Sequence, residues 1–231
     1  MVGLDPIPAR LTSLTETVYE RIRTAIVTRQ IPPGEQVTEA GLGVQLAVSK
    51  TPVREALVRL AYIGFVEPGP RRGLRVVTPS LPAIRAAYEV RAGLEAQSVR
   101  LASLRRGDSE AGDIANLAQA SYDAVRDGDV TAFRELDRRF HLAIADAAGN
   151  ARLGSLVRDY VDLVATLRLR DVPQVDNSLE CAQHHVGIAA AITERTPDAA
   201  EQRLREHLSK VQSLVEAGFS RRNAQAAAPG A

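Results

Sequence analysis

Residues 49–77, SKTPVREALVRLAYIGFVEPGPRRGLRVV, join a helical pattern to a turn-rich hairpin, and that order decides the fold of the first third of the chain. Thr51 followed by Pro52 forms an N-cap and first-turn pair, and Val53, Leu57, Leu60 and Ala61 recur at helical spacing as a buried stripe that ends at Gly64. Beyond it, residues 65–67 and 74–77 are short β-prone runs separated by a turn rich in Gly, Pro and Arg. Upstream, Leu14, Val18, Ile22 and Ile26 repeat every fourth position and predict an amphipathic helix, which IPPGEQV (31–37) stops. Thr38 then caps a second helix through about Leu46, weakened by Gly41 and Gly43. Three helices and a hairpin in this order predict a winged helix-turn-helix.

In such a unit the opening of the third helix enters the major groove, and here it presents Ser49, Lys50, Thr51 and Arg54. Arginine can bind guanine O6 and N7 with parallel hydrogen bonds, while small hydroxyls reach phosphates or base edges without a clash. Arg71, Arg72 and Gly73 at the hairpin tip suit a wing: cations for a narrow minor groove, glycine for close approach to the backbone. The same pattern also serves as a plain packing unit, with the Ser-Thr-Pro opening as a cap alone.

The run PPGEQVTEAGLGVQLAVSKTPVREALVRL followed by GFVEPGPRRGLRVV resembles the DNA-binding domain of GntR-family transcription regulators over nearly all of residues 14–77. The resemblance implies a sequence-specific DNA reader. Two positions depart from the family pattern: lysine replaces the usual arginine at Lys50, and Ala47 stands where glycine is usual. Lysine lacks the planar fork of arginine, so Arg54 is the preferred base reader.

With 231 residues, 45% hydrophobic and 25% charged, the chain has the composition of a globular protein of two modest domains. No stretch approaches the roughly 18 apolar residues of a membrane span. Residues 1–13 have neither a basic opening nor an apolar run, so no secretory signal is expected, and Cys181 is the single cysteine, which fits a reducing cytoplasm. Residues 1–79 hold ten Lys and Arg against seven Asp and Glu, the remainder nineteen against twenty-one. A basic module facing nucleic acid beside an acidic one is compatible with that split.

TPSLP (78–82) carries two prolines in five positions and predicts a boundary: a winged helix-turn-helix over 1–79, a linker at 80–82, a helical effector-binding and dimerisation domain over 83–218, and a disordered tail over 219–231. Six helices are expected in the second domain, over about 83–105, 108–127, 130–148, 151–170, 179–195 and 197–217. The fold class is therefore mainly α, with a bundle that leaves space between facing helices for a ligand or metal.

Asp137 and His141 sit one turn apart in ELDRRFHLAIA, where they can touch each other or a common third party. A simple hydrogen bond between them is the plainer interpretation. The helix stripe of Phe133, Asp137, Phe140 and Ile144 has His141 at its edge. Cys181, His185, Ile188 and Ile192 share one face of the fifth bundle helix, with His184 turned away, and Leu204, His207, Leu208, Val211 and Val215 share one face of the sixth. Burying three imidazoles and a carboxylate separately requires several independent hydrogen-bond solutions, each failure costing about 1 to 3 kcal/mol. One divalent cation satisfies all four.

ELDRRFHLAIADAAGN, HVGIAAAI and the late EHL are similar to the ligand-binding domain of FadR-type GntR regulators. That resemblance implies metal ligands at Asp137, His141, His185 and His207, with no counterpart for a solvent-facing His184. Such a ligand set suits Zn²⁺, Ni²⁺, Mn²⁺ or Fe²⁺. Tyr88, Arg91 and Glu95 share a face of the first bundle helix, and a carboxylate effector spanning Arg91, beside Tyr88, and the metal is one reading of it; an Arg91–Glu95 salt bridge is the other. The expected function is a homodimeric, cytoplasmic repressor binding a palindromic operator, gated by an organic acid and not an enzyme. A metal sensor, and a metallohydrolase with Glu95 as general base, are the alternatives.

Overall fold

The computed structural model describes residues 14–69, 73–168 and 175–227. The chain divides into two units, residues 1–78 and 79–231. The first contains α1 (Leu14–Val27), β1 (Gln36–Val37), α2 (Glu39–Leu46), α3 (Lys50–Ile63), β2 (Val66–Pro68) and β3 (Leu74–Val76). Val18, Tyr19, Ile22 and Ile26 of α1 are buried, whereas Leu14 at its start is exposed. The Arg59 guanidinium of α3 lies 3.7 Å from the Tyr19 ring centre and pairs with Glu16 at 2.7 Å, tying the two helices together.

The hairpin gains a strand that the sequence reading lacked. β1 pairs antiparallel with β3, Gln36 opposite Arg75 and Val37 opposite Leu74, giving the order β1-β3-β2. A two-residue strand with one buried side chain, Val37, has no alternation to read. Arg71 and Arg72 lie outside the described residues. Gly73 is described: its carbonyl accepts from Gly69 N at 2.8 Å and closes the hairpin.

The two glycines of α2 are packing positions. A Cβ on Gly41 would lie 3.0 Å from the capping Thr38 Oγ1, and one on Gly43 would lie 3.1 Å from the Val48 carbonyl oxygen. Their absent side chains let the cap and the interhelical turn close tightly against α2. α3 is capped by Ser49, not Thr51, which falls inside the first turn, and the Ser49 side chain makes no capping hydrogen bond. Pro52 does not discriminate between the two, because any first-turn position lacks an intrahelical N–H partner. Ala56 and Ile63 are buried with Val53, Leu57 and Leu60, while Ala61 is exposed. Gly64 ends the helix in the left-handed region.

The second unit has six helices among the described residues: α4 (Leu81–Arg105), α5 (Asp108–Arg126), α6 (Val130–Ala147), α7 (Ala151–Leu167), α8 (Val175–Thr193) and α9 (Pro197–Ala227). Residues 80–82 are not a linker: Ser80 caps α4, its hydroxyl accepting from Ala83 N at 3.3 Å, and Leu81 and Pro82 form the first turn. α9 runs on to Ala227, so residues 219–227 are helical, and only 228–231 of the expected tail lie outside the described residues. α7 ends at Leu167 with Arg168 as its C-cap, and α8 begins earlier than expected, at Val175. Side-chain caps at Asp129 and Asn150 start α6 and α7. Val99, Ile114, Phe140, Ile144, Ile188 and Leu204 form the shared core of α4, α5, α6, α8 and α9.

Ala47, between α2 and α3, has φ of 54°, a conformation that costs a residue with a Cβ roughly 1 kcal/mol. Ala47→Gly is expected to stabilise the first unit by about 1 kcal/mol, measured as a higher chemical-denaturation midpoint at unchanged slope.

Candidate functional site

In the first unit, Ser49, Lys50, Thr51 and Arg54 are all exposed on one end of α3. Arg54 also meets Glu39 of α2: Nε donates to Oε1 and Nη2 to Oε2, both at 2.9 Å. Sequence reasoning missed this partner, because the two residues belong to different helices and only the turn geometry brings them together.

In the second unit, Asp137 and His141 of α6, His185 of α8 and His207 of α9 converge, with one ligand atom from each lying within 4.8 Å of all the others. His141 is 1% exposed and fully inside the bundle, not at the edge of its stripe, since α4 covers it. Asp137 Oδ1 lies 3.4 Å from His185 Nε2 and 3.9 Å from His141 Nε2. Both of those nitrogens are buried without a hydrogen-bond partner. Donors about 2.1 Å from one ion stand roughly 3 Å apart at right angles and about 3.4 Å apart at tetrahedral angles. Asp137 and His185 already stand at the tetrahedral spacing, and the orphaned Nε2 atoms of His141 and His185 are nitrogens of the kind such an ion takes.

Outer partners set the rings. His141 Nδ1 lies 2.5 Å from Glu95 Oε2, and His185 Nδ1 lies 3.2 Å from Ser121 Oγ of α5. His207 Nδ1 approaches Cys181 Sγ at 3.9 Å. Burial raises a carboxyl pKa, but Arg91 and His141 outweigh it and hold Glu95 at about 2. An ionised Glu95 can only accept, so His141 Nδ1 donates to it, which leaves Nε2 as the nitrogen that an ion would take. Burial lowers His185 to about 3, against the pull of Asp137, and lowers His207 well below the ordinary imidazole value. Both rings are neutral at physiological pH, the form that ligates. Burial pushes the Cys181 thiol upward.

The Arg91–Glu95 salt bridge exists, with both side chains buried, yet Arg91 Nη2 is left as a buried donor without a partner, and the Tyr88 hydroxyl, beside Arg168, has no acceptor for its proton. With Arg91 and His141 each on one of its oxygens and its carboxyl held at about 2, Glu95 is a weak base. Arg168, a cation that the sequence reading passed over near the end of α7, shares the electrostatic surroundings of Tyr88, Asp137 and Cys181. His184 is half-buried, not solvent-facing: its Nδ1 is covered, and its ring lies 5.9 Å from that of His207.

Comparison with known proteins agrees with both units. Residues 14–76 match the bacterial regulatory proteins of the gntR family, and residues 86–210 match the FCD domain. The Nta operon transcriptional regulator of Aminobacter aminovorans is 31% identical over 182 residues, 77% of this chain and 83% of that protein. The HTH-type transcriptional repressor RspR of Escherichia coli is 25% identical over 202 residues, 87% of this chain and 89% of that one. In fold, the chain is similar to the solved structure of E. coli McbR/YncC, with a TM-score of 0.74 and 21% identity over 90% of this chain and 100% of that one. No described helix is long and apolar enough to cross a membrane. The chain belongs to the gntR family of bacterial regulatory proteins, in its FCD-domain branch, and is a DNA-binding transcription regulator, not an enzyme.

Proposed function

We propose that the protein is a homodimeric repressor of a palindromic operator, its DNA affinity set by a small organic acid held at a divalent-metal centre. Arg54 reads a base, Ser49, Thr51 and Lys50 place the helix on phosphates and base edges, and two-fold pairing supplies two half-sites. The relative named a repressor supports repression. Asp137, His141, His185 and His207 hold the ion, which supplies a site of concentrated positive charge when bound; the ligand types do not choose among Zn²⁺, Ni²⁺, Mn²⁺ and Fe²⁺.

The charge balance of the buried centre carries this reading. Asp137 and Glu95 compensate Arg91 and Arg168, and burial keeps His185 and His207 neutral. A divalent cation then adds positive charge to a low-dielectric interior that already holds two arginines, a cost of several kcal/mol unless an anion joins it. A carboxylate offers the counter-charge and accepts from Arg91 Nη2 and the Tyr88 hydroxyl. The acid alters operator binding only through a difference in its affinity for the DNA-competent and DNA-incompetent states.

His185→Ala and His207→Ala are expected to reduce bound metal from stoichiometric to a minor fraction by elemental analysis while operator binding persists; full occupancy in either variant removes that residue from the ligand set. Arg91→Ala should retain its metal and bind the acid about 10- to 100-fold more weakly in calorimetry. An unchanged affinity contradicts its role. Metal-free protein should also lose stability on acidification. Below about 6.5, the ordinary imidazole value, the unfolded chain takes up protons that folded His185, held at about 3, does not. The unfolding free energy of chelator-treated protein should therefore fall steadily from pH 7 to pH 5, by up to about 1.4 kcal/mol per pH unit for each such ring, and its melting temperature with it. A flat profile would show that these rings are not buried in neutral form.

A further inference from the structure

Arg54 projects from α3 with one edge of its guanidinium already occupied. Glu39 takes Nε and Nη2 in a bidentate pair, both contacts at 2.9 Å. Glu39 is the first residue of α2, next to the Thr38 cap that fixes its backbone, so the carboxylate is anchored on a rigid element. The pair bridges the two helices across the 47–49 turn. Both side chains remain accessible, with Arg54 66% and Glu39 34% exposed.

Two physical arguments give this contact a role beyond stability. Exposed ion pairs contribute little to folding, because water and salt screen them. An acid on a surface that meets phosphates is also repelled by them, which weakens binding to every sequence alike. Its geometric consequence, however, is selective. Guanidinium has five N–H donors in a fixed plane, and Glu39 covers the side edge only. The terminal edge, Nη1–H with the second Nη2–H, remains open, and that pair matches guanine O6 and N7.

We propose that Glu39 is a positioning residue for DNA recognition: it clamps the side edge of Arg54 so that the terminal edge is presented to a guanine. This rests on the reading of Arg54 as a base reader. Glu39 thereby trades general affinity for discrimination: it opposes the phosphates everywhere and rewards only the duplex in which Arg54 finds its base. Without the clamp, Arg54 is a flexible cation that settles on the nearest phosphate.

The test uses the full-length protein and the duplex that it enriches from a randomised library, together with versions of that duplex in which each guanine is replaced by adenine. Binding is measured by fluorescence anisotropy for the wild type, Glu39→Ala, Glu39→Gln, Arg54→Ala and the Glu39→Ala/Arg54→Ala double variant. Glu39→Ala is expected to lose about tenfold of the discrimination at one guanine of each half-site while binding unrelated duplex as tightly as the wild type or more tightly. Glu39→Gln, able to accept only one of the two hydrogen bonds, should fall between. The double variant should discriminate no worse than Arg54→Ala alone, since the clamp acts only through Arg54. If Arg54→Ala abolishes discrimination and Glu39→Ala preserves it, or if Glu39→Ala weakens all duplexes equally, Glu39 does not position Arg54. If Arg54→Ala itself keeps full discrimination, the base-reader assignment falls and the clamp falls with it. Matching melting curves for Glu39→Ala and the wild type separate these outcomes from a folding defect.

Discussion

The buried carboxylate of Glu95 is the constraint around which the second unit is arranged. At 2% exposure it cannot remain ionised without partners, because an uncompensated buried charge costs several kcal/mol. Arg91, one turn earlier on α4, and His141 on α6 answer it together. The consequence reaches beyond charge. An acceptor on His141 Nδ1 fixes the orientation of that ring and turns Nε2 toward Asp137. Arg91 is held in the same step, with Nη2 left over for another acceptor. One residue therefore orders a ligand of the candidate metal centre and a cation beside it.

Much of this arrangement was legible in the chain. Asp137 and His141 at i and i+4, and His185 and His207 each on a stripe of aliphatic residues, are periodic signals, and helical periodicity survives whatever packs against it. What packs against it is another matter. That α4 would cover His141, and that Glu95 would serve Arg91 and His141 at once, depends on the registry of two helices 46 positions apart. No local pattern records that registry. Ser121 behind His185 and Cys181 beside His207 were hidden for the same reason, as was Arg168 near Tyr88 and Asp137. His184 was assigned to solvent from its angle relative to His185, but α9 packs close enough to shield its Nδ1.

In the first unit the errors have a different origin. They fall where one residue decides between equal local alternatives. Ser49 and Thr51 are both good caps, and the choice goes to Ser49 because the turn from Ala47 delivers the chain to α3 two residues earlier. The glycines of α2 carry a helix-propensity penalty, yet at Gly43 the Val48 carbonyl approaches so closely that a side chain would have to displace backbone. Propensity measures what a residue costs a lone helix and says nothing of a neighbour that needs the space. Ala47 shows the converse: it occupies a left-handed position where glycine would be relaxed, and the turn holds because Val48 N bonds to Gly43 O at 3.0 Å.

The two sites share a design that distinguishes binding from catalysis. In each, an acidic side chain is spent on orienting a basic one: Glu39 on Arg54, Glu95 on Arg91 and His141. A hydrolytic centre needs a carboxylate or imidazole with an open lone pair beside the attacking water. Here each oxygen of Glu95 already has a donor, and the unpartnered Nε2 atoms of His141 and His185 face Asp137, the arrangement of the candidate metal centre. Groups committed in this way define the position and orientation of a partner and leave it chemically unchanged. In the proposed function, recognition of a base by one unit and of an anion by the other would follow the same economy: fix the donor first, and let the ligand supply the missing acceptor.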